Sequence, residues 1–272
     1  MKLYSILLLI AFSLFFSAPS AAAKLEPCMT EECKAYFKGF KKAAKNGHQK
    51  ANVVLGNFYY YGYGVESNPR TALTYFKKAA RGKITSAQYM AGLLYVSESD
   101  FQDVEEGIEY LEKAAENNHK TAKFMLGVVY LTDEYGVKNV KKADEYLASA
   151  YESRQINVPE IIDHIRKSTE ITSDTFPMLA AQINMAPMLK SEEGESKWPD
   201  DDIERITISG PSLTNMLNSQ LLSMRKPIKS LGTRFKGKSC AERIECKSTT
   251  ADKLDDFSSV VILPGSFGIV SR

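Results

Sequence analysis

At 272 residues the chain has room for one large domain or two ordinary ones. Apolar residues make up 44% and charged residues 25%, the balance of a soluble globular protein, which excludes a disordered or membrane-embedded chain. The net charge is only +2, from 35 basic and 33 acidic side chains, with lysines interspersed among glutamates. That distribution excludes a nucleic-acid partner, because phosphate backbones are met by clustered basic surfaces.

In chain order, residues 1–23 read as a secretory signal peptide. Lys2 opens it, Leu3 to Phe16 is almost unbroken apolar sequence, and Ala18 to Ala23 is rich in small residues, so the cut is expected after Ala23. The apolar run is too short to span a bilayer, so no membrane span is expected once it is removed. No cysteine directly follows the cut to take a lipid anchor. The expected location is the periplasm or the secreted fraction of a Gram-negative bacterium.

Export favours disulfides over free thiols. The four cysteines form two close pairs, Cys28 with Cys33 and Cys240 with Cys246. Three connectivities are possible, and local pairing is the simplest because it needs no contact between the chain ends. A zinc site is the alternative, although the ligand spacings are looser than the usual two intervening residues; no metal is expected.

Self-similarity decides the middle of the chain. Ala51/Leu55/Gly56/Tyr59 recurs as Ala87/Ala91/Gly92/Tyr95 and again as Ala122/Leu126/Gly127/Tyr130, at offsets of 36 and 35 residues. A second motif keeps the same register: Ala43-Ala44, Ala79-Ala80, Ala114-Ala115 and a weakened Ser149-Ala150. The spacing i, i+4, i+5, i+8 puts the first motif on one helical stripe, where small residues allow a neighbouring helix to approach. Gly62-Tyr63-Gly64-Val65 then makes a turn, Asn68-Pro69 opens a second helix, and Gly82 reads as its glycine C-cap. Each unit is thus an antiparallel helix pair, with units near 48–82, 83–118 and 119–153.

In these residues the chain resembles the Sel-one-like repeat family of tetratricopeptide-like solenoids. The fullest match runs from Ala51 to Gly82, with the turn Gly62-Tyr63-Gly64-Val65 and the second-helix signature Ala72, Tyr75-Phe76 and Lys78-Ala79-Ala80. In the second unit Glu98 replaces the turn glycine, and the third keeps only Tyr135-Gly136-Val137 of the turn. The resemblance implies a mainly α, right-handed helical-repeat solenoid with a concave surface that binds another protein. It implies an adaptor or regulator of an envelope or secreted enzyme, for example immunity to a phospholipase toxin. Some secreted relatives are linked to β-lactam hydrolysis, but those carry a cysteine pair in each repeat, and this sequence has no cysteine within its repeats.

Beyond the repeats, Ile156 to Lys167 is predicted as a helix burying Ile161, Ile162 and Ile165, which caps a repeat region spanning 24–170. Residues 171–199 read as a linker or short helix around Met178 to Lys190. Residues 200–272 read as a small α+β domain with a strand at Arg205–Ser209, a helix at Leu213–Met224, two short strands at Val260–Leu263 and Phe267–Val270, and a disulfide between Cys240 and Cys246.

Catalytic signals are sparse. Of three histidines, His48 and His119 share one repeat position near a helix start and read as structural, and His164 reads as a surface residue. No nucleophile elbow, zinc-protease helix or phosphate-binding glycine loop is present. The run Asp200-Asp201-Asp202-Ile203-Glu204 lacks the ligand spacing of a calcium loop. No catalytic residue and no cofactor is expected, so an interaction scaffold is favoured over a hydrolase of cell-wall or β-lactam substrates. The expected binding surface is a ladder of variable polar residues directly after each motif alanine, Asn52, Gln88 and Lys123. Tyr60 and Tyr63 join it, as tyrosines in excess of what the motif requires.

Overall fold

A computed structural model of the chain describes residues 27–192, 194–199 and 212–225. The expected signal peptide, the acidic run 200–204, the strands expected at 205–209, 260–263 and 267–270, and Cys240 and Cys246 lie outside the described residues. Ten helices are formed among them: α1 (Glu31–Lys45), α2 (Gln49–Tyr61), α3 (Pro69–Arg81), α4 (Thr85–Ser97), α5 (Val104–Glu116), α6 (Lys120–Leu131), α7 (Val140–Glu152), α8 (Val158–Ser168), α9 (Pro177–Met185) and α10 (Leu213–Ser223). A two-stranded antiparallel hairpin, β1 (Leu189–Lys190) and β2 (Ser196–Lys197), follows α9.

The repeat is written first into the helix ends. Asn68, Asp103 and Asn139 cap α3, α5 and α7 from nearly identical extended backbone, each side chain accepting the amide three residues on; such caps satisfy a donor that the helix cannot. His48 and His119 occupy the N-cap of α2 and α6 with the same φ and ψ, −73° and 104°, which gives the shared register of the two histidines its structural meaning. Gly82 is the C-cap of α3, as expected. Its φ is −79°, and the left-handed residue is the next one, Lys83, matched by Gly47 one unit before, Asn118 one unit after and Arg154 two units after. Each second helix is thus followed by a left-handed residue just past its C-cap whether or not that residue is glycine.

Within each pair the two helices meet at the motif glycine. A Cβ added to Gly56 would lie 2.5 Å from the Phe76 ring, one on Gly92 would lie 2.7 Å from Leu111 and one on Gly127 would lie 2.7 Å from Leu147. Phe76, Leu111 and Leu147 are fully buried as a result, each burial stabilising by about 2 kcal/mol. Residues 51–58 of α2 and 86–94 of α4 are buried without a break. The first helices are therefore enclosed on all sides, and the second helices (α1, α3, α5, α7) carry the exposed faces.

At the N-terminal end, Cys28 and Cys33 are disulfide-bonded. The backbone of Cys28 forms a parallel bridge with Tyr63 in the α2–α3 turn, and the Cys28 amide donates to the Gly62 carbonyl at 3.0 Å. Gly64, at φ +68°, lies so close to the Cys33 carbonyl that an added Cβ would be 2.2 Å from its oxygen. The glycine-rich turn survives in the first unit because there alone it seats this disulfide loop; the corresponding Gly136 has nothing within 4 Å of its Cβ direction.

At the C-terminal end the short helix expected around Met178 to Lys190 forms as α9. Ile161, Ile162 and Ile165 of α8 are buried against the array, and residues 177–198 fold back onto it. Asp144 of α7, buried to 3% exposure, accepts from the amides of Met178 at 2.9 Å and Leu179 at 2.8 Å, so a carboxylate from one helix caps the positive end of another. The Asp163 carboxylate accepts from both the amide and the hydroxyl of Ser196, each at 2.6 Å, fastening the hairpin to α8. Trp198 meets the Tyr151 ring edge-on at 4.9 Å and donates to the Gln155 carbonyl at 3.3 Å.

Helix α10 forms where the helix Leu213–Met224 was expected, and it packs on α1. Leu217 is fully buried there, Leu221 lies against Gly39, and the Tyr36 hydroxyl reaches the Thr214 carbonyl at 3.5 Å. Leu217 thereby joins Tyr36 and Phe40 of α1, the first helix among the described residues, in one buried cluster.

Two outcomes follow for stability. Gly92→Ala gains about 1 kcal/mol of helix propensity but drives a methyl against Leu111 and the Gly107 carbonyl oxygen at 2.8 Å; overpacking of about 1–3 kcal/mol prevails, and urea unfolding should show a net loss. An unchanged or raised midpoint would contradict the close-approach argument. Asp144→Ala leaves the buried Leu179 amide and the part-buried Met178 amide without an acceptor, and a loss of about 3 kcal/mol is expected, with amide exchange at residues 177–185 accelerating far more than at residues 51–58.

Candidate functional site

The expected ladder is a real register position, but it does not face outward. Asn52 is 8% exposed and Gln88 6%. Asn52 donates to the Gln49 side-chain oxygen at 3.2 Å, and Gln88 accepts from the Asn117 amide at 3.3 Å. Because α2 and α4 are enclosed by second helices on both sides, the polar residue beside the motif alanine finds its partner within the array, Asn52 in its own helix and Gln88 at the C-cap of α5. Lys123 is half-buried and reaches Asn118 at 3.5 Å. Tyr63 is buried at 7% exposure, tilted over Phe58 at 4.8 Å, since its turn docks the disulfide loop. Tyr60 is half-buried, edge-on to Tyr61 at 4.9 Å. The five residues do not form one surface.

What the repeats do present is a row of stacked tyrosine pairs, one per unit, between first and second helices. Tyr59 stacks on Tyr75 at 5.4 Å, Tyr95 on Tyr110 at 6.1 Å and Tyr130 on Tyr146 at 6.1 Å. In the second and third units a lysine and a glutamate lock the pair. Lys77 donates to the Tyr95 hydroxyl at 2.7 Å and lies 3.6 Å from Glu106; Lys142 donates to the Tyr130 hydroxyl at 2.9 Å and lies 3.6 Å from Glu112. The hydrogen bonds to tyrosine raise the pKa of both lysines, while burial pushes Tyr146 up to about 12. These groups hold their protons at neutral pH and act as structural pins.

The first unit differs. Between α1 and α3, above α2, lies an open cleft of about 480 Å³ lined by Lys41, Ala44, Lys45, Gln49, Asn52, Tyr75, Lys78 and Arg81. No carboxylate lines it. All four cations are exposed; Lys41 lies over the Phe37 ring at 5.6 Å and Lys78 over the Tyr75 ring at 4.9 Å. Among the described residues none of the four forms an ion pair. The near-zero net charge of the whole chain conceals this cleft. The signal was present in the local counts, with eleven lysines and arginines against three carboxylates over residues 27–83, and six lysines against thirteen carboxylates over 84–153.

Among the described residues no group of three or more histidine, cysteine or acidic side chains is placed to hold a metal, and no helix is long and apolar enough to cross a membrane. His119 is an interior cap: its Nδ1 accepts from the Ala122 amide at 3.1 Å, and its ring stacks on Tyr89 at 4.5 Å.

Fold and surface together define a helical-repeat solenoid built of antiparallel pairs. Residues 49–83, 85–119 and 121–153 match the family model for the Sel1 repeat, so this part of the chain is an array of three Sel1 repeats, modules that mediate protein–protein interactions. Solved structures with a similar fold include a protective antigen of uropathogenic Escherichia coli displaying an SLR fold (17% identity, 56% of this chain and 33% of that chain, TM-score 0.49). A Sel1 repeat protein from Oxalobacter formigenes is similar over 56% of this chain and 62% of its own (21% identity, TM-score 0.46). An immunity protein from Pseudomonas aeruginosa is similar over 76% of this chain and 88% of its own (17% identity, TM-score 0.28). The chain thus spans a third of the length of the first of these and under two thirds of the second.

Burial lowers the pKa of His119 from 6.5 to about 4. As pH falls the unfolded chain takes the proton first, so stability fully present above pH 6.5 is lost progressively towards pH 4, by about 3 kcal/mol. Urea unfolding at pH 7 and pH 4.5 should show a larger drop for the wild type than for His119→Asn, which keeps a capping side chain without the titration. Equal drops would place the acid sensitivity elsewhere.

Proposed function

We propose that the protein is an exported adaptor that binds another protein through the exposed second-helix face of its Sel1 repeats, and thereby inhibits or regulates an envelope-located or secreted enzyme. Neutralising a phospholipase toxin is one such task. The observation that carries this reading is the repeat array itself, which presents its second-helix face to solvent while the stacked tyrosines, Lys77, Lys142 and the interior His119 are held in structural contacts. Export is supported by the signal-like segment at residues 1–23 and by the bonded Cys28 and Cys33, which suit an oxidising compartment.

The test is affinity capture with the mature protein from periplasm and from culture fluid, followed by size-exclusion chromatography of the mixture. A single protein partner co-eluting in fixed ratio is expected, with its enzymatic activity altered on binding. Turnover of cell-wall or β-lactam substrates by the purified chain, abolished by one polar substitution, would overturn the adaptor reading.

A further inference from the structure

We propose that the cleft between α1 and α3 is the docking site for an acidic segment of the partner protein, a stretch of chain rich in aspartate and glutamate. This rests on the adaptor reading and specifies the partner's chemistry.

One register position changes charge along the array. The last residues of α1, α3, α5 and α7 are Lys45, Arg81, Glu116 and Glu152. A helix C-terminus carries partial negative charge and favours cations. Lys45 and Arg81 are accounted for by that preference, whereas Glu116 and Glu152 stand against it, so helix stability does not set the charge here. One turn back, the same position carries Lys41, Lys77, Glu112 and the uncharged Ala148. The exposed edge of the array therefore reverses sign midway, basic over the first unit and acidic over the later ones.

The two halves also differ in how their charges are used. Lys77 and Lys142 are tied to Glu106 and Glu112, and Lys113 is tied to Glu109. Lys41, Lys45, Lys78 and Arg81 are left to solvent around one cleft, with Tyr75 and Ala44 as its apolar floor. These cations sit on separate helices with long stems and do not converge on one enclosed point. The buried polar residue of the lining, Asn52, already donates to Gln49. Such a distributed, open site suits carboxylates spaced along an extended chain, and it lacks the converging buried donors that hold a single small anion. Complementary charge of this kind sets orientation and association rate, and it excludes partners whose facing surface is basic.

The test uses the full mature chain and a synthetic octaglutamate peptide, with binding followed by fluorescence anisotropy at 20 and 200 mM salt. The peptide should bind the wild type and weaken as salt rises. Lys45→Glu/Arg81→Glu should weaken binding at least tenfold, Lys45→Gln/Arg81→Gln should give an intermediate loss, and Lys141→Glu/Lys167→Glu should leave it unchanged, with all variants retaining the wild-type circular dichroism. Equal binding by the reversed variant overturns the proposal. So does displacement of the peptide by inorganic phosphate at equal concentration, tighter binding to phosphatidylglycerol vesicles than to the peptide, or self-association of the chain lost in the same variant. Capture of the partner separates the two readings: retention by Lys45→Glu/Arg81→Glu as by the wild type sinks the cleft and leaves the adaptor standing, while no partner for either protein sinks the adaptor.

Discussion

Two helices can lie this close only where one of them lacks a side chain, and that contact recurs at Gly56 on Phe76, Gly92 on Leu111 and Gly127 on Leu147. Most of the architecture depends on it. The close approach buries an aromatic or leucine completely, brings the tyrosines of the two helices into stacking distance, and encloses the first helix of each pair between its neighbours. Enclosure in turn decides which residues can meet a partner. The variable amides Asn52 and Gln88 are turned inward, and the surface open to binding passes to the second helices.

The repeat was legible in the sequence because two motifs kept one period, and both mark small residues on buried helix stripes, the glycines of the first meeting Phe76, Leu111 and Leu147 of the second helices. The C-terminal isoleucines were legible for a similar reason, since Ile161, Ile162 and Ile165 share a helical stripe. What was not legible was orientation. Polar type suggested exposure for Asn52 and Gln88, yet an amide with an amide partner is buried without penalty. Tyr63 looked surplus to the repeat, but its turn serves as the seat of the Cys28–Cys33 loop, a contact between segments thirty residues apart that no local pattern announces.

Long-range pairing hid the rest. Asp144 reads as one more acid on a helix, and only the fold shows it accepting from Met178 and Leu179. In the segment 171–199 a short helix was legible, but its docking was not, because helix and hairpin are short and are fastened by Asp144 and Asp163 of α7 and α8. The charge reversal was concealed by its own balance: a basic first unit and acidic later units sum to nearly nothing, so the global figure erased the feature that distinguishes the cleft.

Helix α10 has a consequence for cooperativity. A linear array unravels from its ends, because each terminal repeat touches only one neighbour. Here the first helix is held by residues more than 170 positions later in the chain, Thr214, Leu217 and Leu221, so loosening α1 also releases a segment that follows the last repeat. The two ends of the array are coupled through the covalent chain, and the molecule behaves as a loop closed on itself, in which loosening at one terminus is felt at the other.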